Sequence, residues 1–170
     1  MISKKNLILL GMMGVGKTTI GKLVAKKLNL YFYDIDQIIE KKNDMKINDI
    51  FQKKGEIFFR KQEESITINY LKKNNSVISL GGGAFINKNI RDKILSKSRS
   101  FWLTTSIKIL KSRIKSNKRR PIINRVGLEN IQYLFNKRKE IYGLADHKIE
   151  CGKLTLDQIS DKIIELYENS

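Results

Sequence analysis

The sequence has little cysteine, histidine or proline, with one residue of each: Cys151, His147 and Pro121. A single cysteine can form neither an intrachain disulfide bond nor a cysteine-rich zinc cluster, which favours a reducing compartment. The chain also lacks internal repeats, low-complexity tracts and a glycine-, serine- or proline-rich linker. With 170 residues, of which 41% are hydrophobic, it is predicted to form one domain spanning residues 1–170.

Long apolar runs are absent too. No stretch approaches the roughly 20 apolar residues that a membrane-spanning helix requires. The N-terminal run MISKKNLILLGMMGVG imitates a secretory signal, but it has no small-x-small cleavage site and leads directly into a glycine-rich motif that cleavage would destroy. We therefore expect a cytoplasmic protein without a membrane partner. We also expect a monomer, because no segment indicates an extended oligomer interface.

Acidic residues are scarce relative to basic ones, with 17 Asp and Glu against 34 Lys and Arg, a net charge of +17. Such an excess is typical of nucleic-acid-binding proteins. Here, however, 26 of the basic residues are lysines scattered over helix faces predicted to be solvated, and only 8 are arginines. The basic stretch NKRRPIINR contains no aromatic side chain on which bases could stack. We expect no nucleic-acid partner, although a basic nucleic-acid-binding protein with a nucleotide site stays open as an alternative.

Short apolar runs alternate with segments of helical spacing along the chain. The runs predict strands at 6–10, 31–33, 76–80, 100–103 and 147–150. The helical spacing predicts helices at 17–28, from about 36, at 47–54, 57–73, 106–115, 128–143 and 155–168, with Gly55 ending the third of them. This alternation predicts an α/β fold with three layers, in which helices cover both faces of a parallel sheet. Ligands of such sheets bind beyond the carboxyl ends of the strands.

The segment GMMGVGKT, residues 11–18, matches the phosphate-loop pattern G-x-x-x-x-G-K-S/T between a predicted strand and a predicted helix. Glycines let successive backbone N–H groups point at phosphate oxygens, and the helix N-terminus adds a positive dipole. Lys17 is expected to reach the β- and γ-phosphates of a nucleotide, and the Thr18 hydroxyl to ligate Mg²⁺. The motif predicts nucleotide binding but leaves the reaction open.

The absence of two motifs narrows the range of reactions that the protein could catalyse. The chain has no N/T-K-x-D segment of the kind that reads guanine in GTPases. The predicted strand SVISL is followed by Gly81, so it lacks the acidic residue that motor-type ATPases carry at the end of such a strand. A small kinase with Mg²⁺ and ATP fits best.

Asp34 and Asp36 follow the second predicted strand in the segment YDIDQ. On an extended strand, residues i and i+2 point to the same face, so both carboxylates would lie on one side of the strand. Asp34 is the candidate to hold Mg²⁺, directly or through water, and Asp36 to orient or deprotonate an acceptor hydroxyl. An alternative is that Asp36 only caps the helix that begins there.

Arginines mark the remaining candidate site residues. Arg60 and Glu63 are three residues apart on a predicted helix, where the acid can brace the guanidinium, although such a pair is also common on surfaces. The polar stretch around RRP, about residues 114–127, is a candidate mobile lid that closes over ATP. Arg138 lies on the helix that follows.

Taken in order, these motifs resemble those of shikimate kinases: the phosphate loop, FYDID, IFQKKGEIFFRKQE, GGGA, RPII and RKEIY, which together span Asn6 to Tyr142. The resemblance implies transfer of the γ-phosphoryl of ATP to the 3-hydroxyl of shikimate, within aromatic amino acid biosynthesis. Another small-molecule kinase of this fold, for gluconate or a nucleoside monophosphate, is the rival interpretation. One departure is Ile35, where the family commonly has a small polar residue. We expect its side chain to point into the core and leave the acids in place.

The resemblance also implies site roles. A segment at about residues 36–64 would bind substrate, with Phe51 and Phe59 walling the ring. The residues expected to contact shikimate are Asp36, Arg60, Gly82 and Arg138, the two arginines holding its carboxylate. Those expected to contact ATP are Gly14, Val15, Gly16, Lys17, Thr18, Thr19, Arg113 and Arg120. Lys17, Asp36 and the lid residue Arg120 would be catalytic, and Thr18 and Asp34 would hold Mg²⁺.

Overall fold

The computed structural model describes residues 5–116 and 127–169. In that part of the chain, five parallel strands form one sheet in the order β2-β3-β1-β4-β5, and helices flank it. The strands are β1 (Asn6–Leu10), β2 (Tyr31–Asp34), β3 (Ser76–Ser79), β4 (Ser98–Thr104) and β5 (His147–Glu150). The predicted parallel α/β fold is confirmed.

Seven α-helices are described in these two ranges. They are α1 (Lys17–Leu28), α2 (Ile35–Asn43), α3 (Ile47–Leu71), α4 (Lys88–Lys97), α5 (Ile107–Ser116), α6 (Ile131–Tyr142) and α7 (Leu156–Glu168). The sequence interpretation missed α4. A capping signal was available, because the Asn87 side chain accepts from the N–H of Ile90 at 3.1 Å, and Ile90 and Ile94 are spaced for one helix face.

Gly55 interrupts α3, as predicted. Its φ of 80° and ψ of 169° belong to a region that glycine tolerates and other residues avoid. The chain therefore bends at this point, and residues 47–54 and 56–71 form two helical stretches joined at a kink. None of the helices in the described ranges is both long enough and apolar enough to cross a membrane.

The centre of the sheet is apolar on both faces, as expected for strands covered by helices on either side. Every residue of β1 is buried, and so is every residue of β3. The fully buried side chains at the centre of this core include Leu7, Ile8, Leu9, Val77, Ile78, Phe85 and Phe101. A rigid sheet of this kind gives fixed positions to the loops that leave it.

The strand order brings three loops together. Leu9 of β1 is in register with Ser79 of β3, which is in register with Asp34 of β2. The N–H of Leu80 also donates to the carbonyl of Leu9 at 3.0 Å. The chain therefore leaves all three strands at one edge of the sheet, where the phosphate loop, the acids after β2 and the glycines after β3 lie side by side.

Candidate active site

The phosphate loop joins β1 to α1. Gly14 and Gly16 have φ of 81° and 106°, which glycine adopts readily. Gly16 is the N-cap of α1, and no side chain caps the first turn, so the helix presents its N–H groups to the loop. Lys17 Nζ donates to the carbonyl oxygens of Gly11 and Met12 at 2.9 and 3.0 Å. The backbone N–H groups at the start of α1 and the Lys17 ammonium group therefore lie close together, as they do in anion-binding sites.

Three further predicted ATP contacts lie in this loop or beside it. Val15 is a buried residue of the loop, whereas Thr19 is exposed in the first turn of α1. Arg113, on α5, donates through a guanidinium nitrogen to the carbonyl of Val15 at 3.2 Å. This hydrogen bond holds α5 against the phosphate loop and keeps the guanidinium beside it.

Thr18 and Asp34 are hydrogen-bonded at the junction of α1 and β2. The Thr18 hydroxyl donates to Asp34 Oδ2 at 2.6 Å, and the buried Asp34 carboxylate also accepts from the N–H of Gln37 at 3.2 Å through Oδ1. Asp34 is therefore the N-cap of α2. Hydroxyl and carboxylate oxygens are the protein ligands that Mg²⁺ prefers.

The expected geometry of the paired acids was wrong in one respect. The strand ends at Asp34, so Asp36 lies in the first turn of α2 rather than one pleat further along a strand. The alternative that Asp36 caps this helix is also wrong, because Asp34 does so. Ile35 is fully buried, as expected, although the helix and not a strand directs it into the core.

Asp36 and Glu63 form a buried acidic pair beside Gly81. Asp36 Oδ1 and Glu63 Oε1 are both buried without a hydrogen-bond partner in the described part of the chain. The pKa of the Asp36 carboxyl is raised to about 7, chiefly by burial and then by the negative charges of Glu63 and Asp34, while the positive charge of Lys17 lowers it. Burial likewise raises the pKa of Glu63, against the lowering effect of Arg60. Two carboxylate oxygens that lack partners in one place indicate a site prepared for hydroxyl groups or cations.

Each glycine of the segment Gly81–Gly83 lies against a different charged group. A Cβ on Gly81 would stand 2.5 Å from Asp36 Oδ1 and 2.8 Å from Glu63 Oε1. A Cβ on Gly82 would stand 3.4 Å from the Arg138 guanidinium, and one on Gly83 would stand 2.5 Å from the Arg60 guanidinium. The absence of side chains at these three residues allows two acids and two arginines to converge on one strip of backbone.

Arg60 is braced as predicted. Its guanidinium contacts Glu63 Oε2 at 2.7 Å and Glu56 Oε1 at 3.3 Å, and lies 5.2 Å from the centre of the Phe59 ring. Because Glu63 is only 2% exposed, the alternative of an ordinary surface pair is wrong. The Phe51 and Phe59 rings, 4.4 Å apart between centres, form an apolar wall next to this arginine.

The sequence interpretation did not assign a role to Glu63 beyond bracing, or to Tyr142. Tyr142 ends α6, one helical turn after Arg138, and its hydroxyl contacts the carbonyl oxygen of Gly82. The R-x-x-x-Y spacing was the available signal, since residues i and i+4 share a helix face. Arg120 and most of the predicted lid lie outside the described residues.

Comparisons with known proteins agree with this arrangement. A sequence model of the shikimate kinase family matches residues 13–168. The chain is 41% identical over 169 residues to the shikimate kinase of Bacillus subtilis, covering 96% of this chain and 89% of the relative. It is 39% identical over 160 residues to the shikimate kinase of Sulfurihydrogenibium sp., and this match covers 94% of this chain and 96% of the relative.

A solved structure has the same architecture. The shikimate kinase of Acinetobacter baumannii, in complex with shikimate, superimposes with a TM-score of 0.91 at 29% identity, covering 97% of this chain and 93% of that one. Sequence relationship and fold thus agree over nearly the whole length. Because the family model matches more than half of the residues of this chain, the chain belongs to the shikimate kinase family.

Proposed function

We propose that the protein transfers the γ-phosphoryl group of ATP to the 3-hydroxyl of shikimate, giving shikimate 3-phosphate and ADP. The observation that carries this proposal is the convergence of Asp36, Arg60 and Arg138 on the glycine strip Gly81–Gly83, next to the phosphate loop. A carboxylate-bearing, polyhydroxylated ring needs both cationic and anionic partners, and this strip supplies both within one small space.

The ATP phosphates lie on the loop N–H groups, and Lys17 moves from the loop carbonyls onto the β- and γ-phosphates. Its contacts with Gly11 and Met12 support this assignment, because a phosphate is a stronger partner for an ammonium group than two carbonyls. Arg113 lies beside the nucleotide, held there by its bond to Val15.

Magnesium is proposed at Thr18 and Asp34. The fit rests on the donor set: a hydroxyl and a buried carboxylate already 2.6 Å apart beside the phosphate loop. Mg²⁺ keeps several water and phosphate ligands, so one or two protein oxygens are sufficient. When bound, Mg²⁺ would neutralise charge on the β- and γ-phosphates.

Arg60 and Arg138 hold the shikimate carboxylate, for which the planar guanidinium fork is well suited. Asp36 and the Gly82 backbone contact its hydroxyls. In the transfer, the 3-hydroxyl oxygen forms a bond to the γ-phosphorus while the bond from phosphorus to the bridging oxygen of ADP breaks. The hydroxyl proton passes to the Asp36 carboxylate, whose pKa near 7 is suited to a general base. Arg120, on the proposed lid at about residues 114–127, neutralises charge on the transferring group.

The domain limits, the substrate segment at about 36–64, the cytoplasmic location and the monomeric state stay predictions from the sequence. The same holds for the expected absence of a nucleic-acid partner.

The test is a coupled assay of ADP release with Mg-ATP, with shikimate, gluconate or a nucleoside monophosphate as acceptor, and with excess EDTA. We expect release with shikimate only, and its loss in EDTA. Release with another acceptor, or with none, would contradict the proposal.

Arginine variants extend the same assay. Arg60→Lys and Arg138→Lys should each raise the KM for shikimate about tenfold or more, because an ammonium group cannot pair bidentately with a carboxylate. Arg99→Lys on β4 is the matched control, since Arg99 pairs in register with Leu7, away from the site edge. An unchanged KM in both site variants would exclude the carboxylate assignment.

A further inference from the structure

Tyr142 is completely buried at the end of α6, yet its hydroxyl lies between two residues of the site. The hydroxyl donates to the carbonyl oxygen of Gly82, and the Arg138 side chain is near enough to it to lower its pKa. It also lies 3.9 Å from the sulfur of Met12 in the phosphate loop. One buried oxygen therefore connects the glycine strip, the α6 arginine and the loop that binds phosphate.

These two contacts restrict the orientations of the Gly82 peptide and the Arg138 side chain. Gly82 has no side chain to limit its backbone conformation, so a hydrogen bond to its carbonyl helps to fix the orientation of its peptide plane. Arg138 has a long side chain with many rotamers, and holding it in one of them before a ligand arrives lowers the entropy cost of binding. Burial raises the pKa of Tyr142, which keeps the hydroxyl protonated as a donor at neutral pH.

We propose that Tyr142 is a positioning residue for shikimate, which holds the Gly82 peptide and the Arg138 guanidinium in their binding orientations through one hydroxyl. This inference rests on the proposed function, because it assigns Tyr142 an effect on the substrate through residues proposed to touch it. Tyr142 itself does not take part in the transfer of the phosphoryl group.

The competing explanation is that Tyr142 only fills the core. Its ring packs near Trp102, with the ring centres 5.9 Å apart, and that packing alone would account for its burial. Phenylalanine retains the ring and removes only the hydroxyl, so Tyr142→Phe separates the two explanations. A packing role predicts no specific effect on shikimate, whereas a positioning role predicts one.

Tyr167 provides a matched control. It is also a buried tyrosine on a helix, and its hydroxyl donates to the carbonyl of Lys5 at 2.5 Å. Lys5 precedes β1 and therefore lies at the end of the sheet opposite the site. Tyr167→Phe removes the same type of bond from the same protein without touching the glycine strip.

The experiment measures initial rates with shikimate and ATP varied separately. Tyr142→Phe should raise the KM for shikimate about tenfold, given the usual strength of hydrogen bonds to charged groups, and leave the KM for ATP within about twofold. Tyr167→Phe should change neither, while lowering the melting temperature by a similar amount. A shikimate KM within twofold of wild type in Tyr142→Phe would overturn the proposal, as would an equal rise in Tyr167→Phe.

A measurement on the wild-type protein applies even where Tyr142→Phe does not fold. With tyrosine labelled at Cζ with ¹³C, saturation with shikimate should shift the Tyr142 signal and leave that of Tyr167 in place. An unchanged Tyr142 signal would overturn the proposal. If the wild-type protein phosphorylates shikimate in the coupled assay, a negative result with Tyr142 contradicts only the role proposed for Tyr142. Wild-type protein that does not would refute the proposed function itself.

Discussion

Replacing Asp36 with asparagine should make the protein more stable and nearly inactive. The substitution keeps the shape of the side chain and removes a charge that lies beside Glu63 and Gly81, where its Oδ1 is buried without a hydrogen-bond partner among the described residues. Stability and activity should therefore change in opposite directions, which a general disruption of the fold would not produce.

The size of the stability gain follows from the pKa. Raising it from 3.8 to about 7 costs the ionised folded state up to about 4 kcal/mol, at about 1.4 kcal/mol per tenfold change in proton affinity. The folded state binds this proton more tightly than the unfolded state. The cost is therefore absent below about pH 4, grows as the pH rises, and is complete above about pH 7. Because Asp36 as a whole is only partly buried, we expect a smaller gain, of about 1–3 kcal/mol at pH 8, in Asp36→Asn.

The catalytic effect has the opposite sign. A carboxylate that accepts the hydroxyl proton must be ionised, so the kcat/KM of wild type for shikimate should fall about tenfold per pH unit below about pH 7. Asp36→Asn cannot accept the proton at any pH. Its kcat should be lower by about 10²- to 10⁴-fold, the usual contribution of a general base.

Urea unfolding at pH 5 and pH 8, in EDTA so that bound magnesium does not contribute, measures the stability change. The coupled assay measures kcat on the same preparations. Asp92→Asn is the control, since Asp92 is an exposed acid paired with Lys88 and should change neither quantity. A gain equal at both pH values, or a loss at pH 8, would refute the burial argument. A kcat near wild type would refute the assignment of Asp36 as the base.

Two further substitutions test the glycine strip and the lid. Gly81→Ala places a methyl group 2.5 Å from Asp36 Oδ1 and 2.8 Å from Glu63 Oε1, which forces both acids to shift. We therefore expect the KM for shikimate to rise about tenfold or more and the KM for ATP to stay unchanged. Equal changes in both constants in initial-rate measurements would instead indicate general distortion. Arg120→Ala should lower kcat by about 10³- to 10⁵-fold in the coupled assay, as for other arginines that neutralise a transferring phosphoryl group, and a kcat within a few-fold of wild type would exclude that role.

The parallel sheet and the phosphate loop were predictable because both are encoded locally. Alternating apolar runs and helical spacing are properties of short segments, and the loop donors belong to consecutive residues between a strand and a helix. The geometry of Asp34 and Asp36 was predicted less well. Whether a strand continues past Asp34 or a helix begins there depends on the capping bond to Gln37, which competes with extended structure.

The sequence by itself thus determined the class of the fold, the order of its strands and of all its helices but α4, and the segments that carry the chemistry. Only the tertiary structure decided which of those segments meet. The strand order sets β3 between β1 and β2, so that Gly81–Gly83 lies beside Asp36 and Glu63, while α6 brings Arg138 and Tyr142 to the same strip. The burial that raises the pKa of Asp36 is a property of that assembly, because desolvation depends on neighbours distant in the chain.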